Sequence, residues 1–102
     1  MRVPIACTLT SDATTYRIAE WRVALDTLVT AVTRTAPGRV ELRLVAGPAA
    51  AGQLVDLARR EKACCGFFTF AMQIGADGSS LIVEVPEDAT AVLDDFVALR
   101  NS

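Results

Sequence analysis

The chain has 102 residues, a formal net charge of −2 and 52% hydrophobic residues, which is enough for one ordinary core and too apolar and weakly charged for a disordered segment. A sequence pI near 5.0 without any run of Lys or Arg argues against a nucleic-acid surface, because phosphate contacts need clustered positive charge. No apolar stretch reaches the roughly 18 residues of a bilayer span, and Met1-Arg2-Val3-Pro4 opens without a leader-like segment, so no membrane contact and a cytoplasmic location are expected.

Residues 2 to 9 alternate, with Val3, Ile5, Cys7 and Leu9 on one face, as a half-buried strand requires. Ser11 and Asp12 supply capping oxygens. Behind them Ile18, Trp21, Leu25, Leu28 and Val32 recur at helical spacing, which predicts one long amphipathic helix ending at Pro37-Gly38. Val40, Leu42 and Leu44 alternate with Glu41 and Arg43 and predict a second strand. Pro48 suits a first helical turn, so a second helix is expected through Leu54, Leu57 and Ala58 to about Cys65 or Gly66.

Phe68, Phe70, Met72 and Ile74 fall on one side of a strand, and Gly75-Ala76-Asp77-Gly78 turns it into Leu81, Val83 and Val85, an antiparallel hairpin. Pro86, Glu87 and Asp88 open a last helix with Ala89, Val92, Leu93, Phe96 and Val97 as its inward stripe. The expected order is β-α-β-α-β-β-α. Because each strand has a single apolar face, the expectation is one α+β domain over residues 1–102: a two-layer sandwich with a four-stranded mixed sheet covered by helices on one face. The thioredoxin core shares this order, but Cys-x-x-Cys is missing after the first strand.

The concentrated chemistry lies in Glu61-Lys62-Ala63-Cys64-Cys65-Gly66-Phe67-Phe68. On a helix Glu61 precedes Cys64 by three residues and Cys65 by four, so its carboxylate shares a face with both sulfurs. Glu61 also continues the apolar stripe of Leu54, Leu57 and Ala58, where a carboxylate is costly unless paired, hydrogen-bonded or protonated. Either it marks a site, or it forms an ion pair with Arg17, Arg22 or another Arg.

Three cysteines, two of them adjacent, make a poor disulfide scaffold, and there is no His, which removes the common Cys/His zinc patterns. Paired thiolates suit a soft ion such as mercury, copper or zinc, or an organometal. The largest metal-ligand set the chain offers is Cys64, Cys65, Cys7 and Glu61. Adjacent helical residues diverge by roughly 100°, so sharing one ion requires the helix to loosen near Gly66. Arg59, Arg60 and Lys62 favour thiolate, whereas a helix C-terminus disfavours it. The competing reading is that the cysteines are small hydrophobes under Phe67, Phe68 and Phe70, with Cys7 and Trp21 in the core.

Pro4-Ile5-Ala6-Cys7-Thr8-Leu9, Ala19-Glu20-Trp21-Arg22 and the segment Glu61 to Phe70, written Glu-x-x-Cys-Cys-x-Phe-x-x-Phe in its most specific part, resemble a small bacterial Cys-Cys domain. That domain is found alone or fused to MerR-type metal-responsive regulators. The resemblance implies handling of mercury or related thiophilic metals. No helix-turn-helix half is present in this chain, so the regulator's DNA function does not carry over.

A fainter resemblance is to organomercurial lyase, through Cys64-Cys65 with Phe67-Phe68 and through Ala24-Leu25-Asp26-Thr27-Leu28. In the lyase a cysteine just before that stretch shares the carbon–mercury cleavage with the paired-Cys thiol and the Asp. Here Val23 occupies the place, so Cys7 would have to supply the second thiol.

Three functions follow as expectations. The leading one is capture of a soft metal ion or organometal by Cys64 and Cys65 with Cys7, while Glu61 takes a proton. The second is a thiol enzyme with a Cys nucleophile and Glu61 or Asp26 as proton donor. The third is an interaction or structural domain with core cysteines, a homodimer through the exposed sheet face.

Overall fold

A computed structural model describes residues 11–64 and 68–101, with side chains over 17–63 and 68–100. Among the described residues three helices and four strands follow in the order α1 (Ser11–Thr27), β1 (Val29–Ala36), β2 (Arg39–Leu44), α2 (Pro48–Cys64), β3 (Thr69–Gly75), β4 (Gly78–Glu84) and α3 (Thr90–Ala98). Short 3₁₀ turns, Glu87–Ala89 and Leu99–Asn101, flank the last helix. The molecule is an α+β sandwich with helices packed on a four-stranded sheet. Among the described residues no helix is long and apolar enough to cross a membrane.

The sheet order is β1-β2-β4-β3, and all three pairings are antiparallel rather than mixed. The expected strand over residues 2 to 9 lies outside the described residues, and the fourth strand comes from a different place. Where one long helix was expected as far as Pro37, α1 stops at Thr27 and β1 begins at Val29. Five of the eight residues of β1, Val29, Thr30, Val32, Thr33 and Thr35, are β-branched. Such side chains lose rotamer freedom against a helical turn and pack well on a pleated surface. Pro37-Gly38 is therefore a hairpin turn, closed by the Ala36–Arg39 pair, and the described order becomes α-β-β-α-β-β-α.

Register places one apolar row across the whole sheet, Val32–Leu42–Leu81–Met72. A second row runs Val40–Val83–Phe70. Against these rows α1 sets Trp21 and Leu25, α2 sets Leu54, Leu57 and Ala58, and α3 sets Leu93 and Phe96. Trp21, Phe68 and Phe96 are wholly buried, and burial of such side chains contributes roughly 1.5–3 kcal/mol each. Ile74 departs from its expected inward place: it is 78% exposed, because β3 is the edge strand among the described residues and its far end runs into the Gly75–Gly78 turn. Gly78 there has φ +125°, a conformation open to Gly and strained for other residues.

Candidate functional site

Helix α2 carries its apolar stripe through Leu54, Leu57 and Ala58 into Glu61, and all four are buried, Glu61 with 0% exposure. The acid expected on the core face is on the core face. Facing it from α1 are Arg17 and Trp21, one turn apart and hence on the same side of that helix. Arg17 Nη1 donates to Glu61 Oε1 at 3.0 Å, and Trp21 Nε1 donates to the same oxygen at 3.1 Å. Of the arginines that the sequence offered as partners, the structure selects Arg17.

The pair continues outward as a network. Arg17 Nε lies 3.6 Å from Glu20 Oε1, Glu20 Oε2 meets Arg60 Nη1 at 3.0 Å, and Arg60 Nε meets Asp56 Oδ2 at 3.1 Å. The two helices are thus laced by alternating charges from a dry end at Glu61 to a solvated end at Asp56. Glu61 Oε2 is different: it is buried and has no hydrogen-bond partner among the described residues. Burial pushes the Glu61 carboxyl above its ordinary value, and it outweighs the Trp21 and Arg17 hydrogen bonds and the Arg17 charge, which pull it down.

Aromatic rings wall this site. Trp21 meets Phe96 edge-on, with centroids 4.9 Å apart and planes at 74°, and lies over Phe70 at 6.1 Å and 13°. Phe68 contacts both Phe70 at 5.6 Å and Phe96 at 5.8 Å. Such offset and edge contacts hold rings beyond what their buried area alone supplies. Trp21 is core, as its spacing implied, and it is also a donor to the acid. That second role was legible only as the i, i+4 spacing of Arg17 and Trp21.

Cys64 is the last residue of α2, one helical turn after Glu61. Its side chain, together with Cys65, Phe67 and Cys7, lies outside the described residues, as does the side chain of Asp12. Lys62 Nζ donates to the carbonyl oxygen of Phe68 at 2.8 Å, so the last turn of α2 is tied to the residue that enters β3, across the cysteine segment. Asp26, the alternative proton donor, is exposed on α1 and takes no part in the Glu61 network. Val23, where the lyase-like pattern would place a cysteine, is 60% exposed. Among the described residues no group of three or more His, Cys, Asp or Glu side chains is placed to hold a metal ion.

Compared with known proteins, the chain matches no family model, no curated protein and no solved structure at a significant level.

Proposed function

We propose that this chain is a binding domain for a thiophilic metal ion or organometal, of mercury-handling type, with Cys64 and Cys65 as the capturing thiols and Cys7 as a third sulfur. The observation that supports this reading is Glu61 Oε2, a buried carboxylate oxygen without a partner among the described residues, one helical turn before Cys64. A thiol must lose its proton to bind a soft metal, and a carboxylate oxygen without a partner among the described residues, one helical turn earlier in the chain, serves that proton or the metal itself. Oε1 has a separate task, since Arg17 and Trp21 fix its orientation.

Native mass spectrometry with mercuric ion tests the reading. The expected result is one equivalent bound by the wild-type chain and loss of binding in Cys64→Ser/Cys65→Ser. Unchanged affinity in the double variant overturns it.

One observation favours a second reading, in which the cysteines are packing groups and the domain is structural. The Arg17–Glu61 ion pair accounts for the buried acid without any ligand. Native-state alkylation separates the two. Thiols that label rapidly in the folded chain support the metal reading, and thiols that label only in denaturant support the structural one.

A further inference from the structure

Between α2 and the edge strand β3 lies a slot of about 280 Å³ whose walls include Val55, Ala58, Phe70 and Met72, with Arg59 and Lys62 also lining it. We infer that this slot binds a small monocarboxylate with an apolar body, the hydrocarbon seated against Phe70 and Met72 and the carboxylate held at Arg59. The inference is independent of the metal reading and involves no cysteine.

Charge complementarity singles out this site. The groove between α1 and α2, about 440 Å³, has Glu20, Asp56 and Arg60 on its walls, but those charges are already matched with one another in ion pairs. Among the described residues, the α2–β3 slot is lined by the cationic Arg59 and Lys62 and by no acidic side chain. Lys62, on the slot's wall, donates to the Phe68 carbonyl. Arg59 takes part in none of the ion pairs among the described residues, although its neighbour Arg60 takes part in two. A planar guanidinium beside an apolar wall is suited to a carboxylate, which it binds in bidentate fashion.

Size and shape narrow the ligand further. Drug-sized ligands occupy pockets of roughly 300–1,000 Å³, so a slot just below that range takes a smaller molecule. Phe70 and Met72 are half-buried on β3, and β3 is the edge strand among the described residues, so the hydrocarbon enters from the side without opening the core. Phe70 is braced from behind by Trp21 and Phe68, which gives the slot a firm floor. A cation with the same hydrocarbon would meet Arg59 as a like charge. A carboxylate without hydrocarbon would leave the apolar wall wet.

The probe is octanoate, read by equilibrium dialysis at low salt, with octylammonium, octanol and acetate as the comparison series. Octanoate is expected to bind with one equivalent and a dissociation constant of about 1 mM or tighter, the scale reached by ligands of roughly ten heavy atoms. Octylammonium is expected to bind at least about tenfold more weakly, and acetate not measurably, because neither makes both contacts. Arg59→Glu, a change on an exposed helix face, should weaken octanoate about tenfold, strengthen octylammonium and leave octanol unaltered.

Equal binding of octanoate and octylammonium would show that charge selects nothing, and acetate binding as well as octanoate would reduce the site to surface charge. Unchanged octanoate binding in Arg59→Glu would place the ligand elsewhere. Each of these outcomes overturns the assignment, as does the absence of saturation by about 10 mM octanoate.

Discussion

Arg17 and Glu61 are 44 positions apart in sequence and meet at 3.0 Å between Nη1 and Oε1, the guanidinium side chain 11% exposed and the carboxylate side chain not at all. The contact joins α1 to α2 at the inner end of their interface. Two charges in so dry a place stabilise little as a pair, because desolvation offsets most of their attraction. Each is nevertheless strongly dependent on the other.

Removing one partner and removing both should therefore have opposite consequences. Glu61→Ala leaves the Arg17 charge and the Trp21 N–H without their acceptor and should lower stability by about 3–5 kcal/mol in urea denaturation. Arg17→Met combined with Glu61→Leu replaces the pair with hydrocarbon and should be neutral or stabilising by about 1–4 kcal/mol. If the double variant loses as much as the single one, the ion pair is not the reason Glu61 tolerates burial. A double variant that is stable yet no longer binds mercuric ion would separate the acid's part in binding from its part in folding.

The same carboxyl sets a pH dependence of definite sign. Its pKa is raised from 4.5, chiefly by burial, against the pull of Trp21 and Arg17. In the window between the unfolded and folded values the folded state holds a proton that the unfolded state has released, so stability falls as pH rises. The contribution is full below 4.5 and is lost as pH climbs through the folded value. Other carboxylates change in the opposite sense, so Glu61→Gln is the comparator. The stability of the wild type relative to Glu61→Gln should decline as pH rises above 4.5. A relative gain over the same window would mean that Arg17 outweighs desolvation.

Much of this arrangement was legible in the sequence where one periodicity was unopposed. Val40, Leu42 and Leu44 alternate against charges and form β2, and the Pro48 start of α2 and the turn at Gly75–Gly78 are where residue chemistry puts them. At β1 two periodicities compete, because Leu28 and Val32 satisfy a helical period and a strand equally. The density of β-branched residues from Val29 to Thr35, a local cost to helix, decided the matter. Glu61 was conspicuous because acids are rarely found on apolar stripes. Trp21 as its donor was not, since a tryptophan at core spacing satisfies packing whether or not its N–H has a partner. The α2–β3 slot is a product of packing between elements and leaves no periodic trace.

Trp21→Phe isolates the indole donor. Phenylalanine keeps an aromatic ring against Phe70 and Phe96 but offers Glu61 Oε1 nothing, so Arg17 becomes its one donor among the described residues. The unmade hydrogen bond and the lost ring volume together should cost about 1–3 kcal/mol. Because the Trp21 hydrogen bond lowers the Glu61 pKa, its removal should raise that pKa further and carry the pH-dependent decline to higher pH. A pH profile identical to that of the wild type would show that the indole packs beside the carboxylate without bonding to it.

Two glycine-to-alanine changes should act in opposite directions. A Cβ on Gly38 would stand 2.7 Å from the Val85 carbonyl oxygen, and that oxygen is poorly placed to yield, because the Val85 N–H donates to the Gly38 carbonyl at 2.9 Å. Gly38→Ala must therefore open the hairpin turn or break this bond, and should lower stability by about 1–3 kcal/mol. Gly52 lies within α2 with nothing inside 4 Å of an added Cβ, so Gly52→Ala should stabilise by roughly 0.5–1 kcal/mol through lost backbone freedom in the unfolded chain. For a domain of this size each kcal/mol shifts the thermal midpoint by about 4–8 °C, so calorimetry separates the two readily. A midpoint for Gly38→Ala at or above that of the wild type would mean that β1 and β2 are not held against Val85 as closely as this geometry requires.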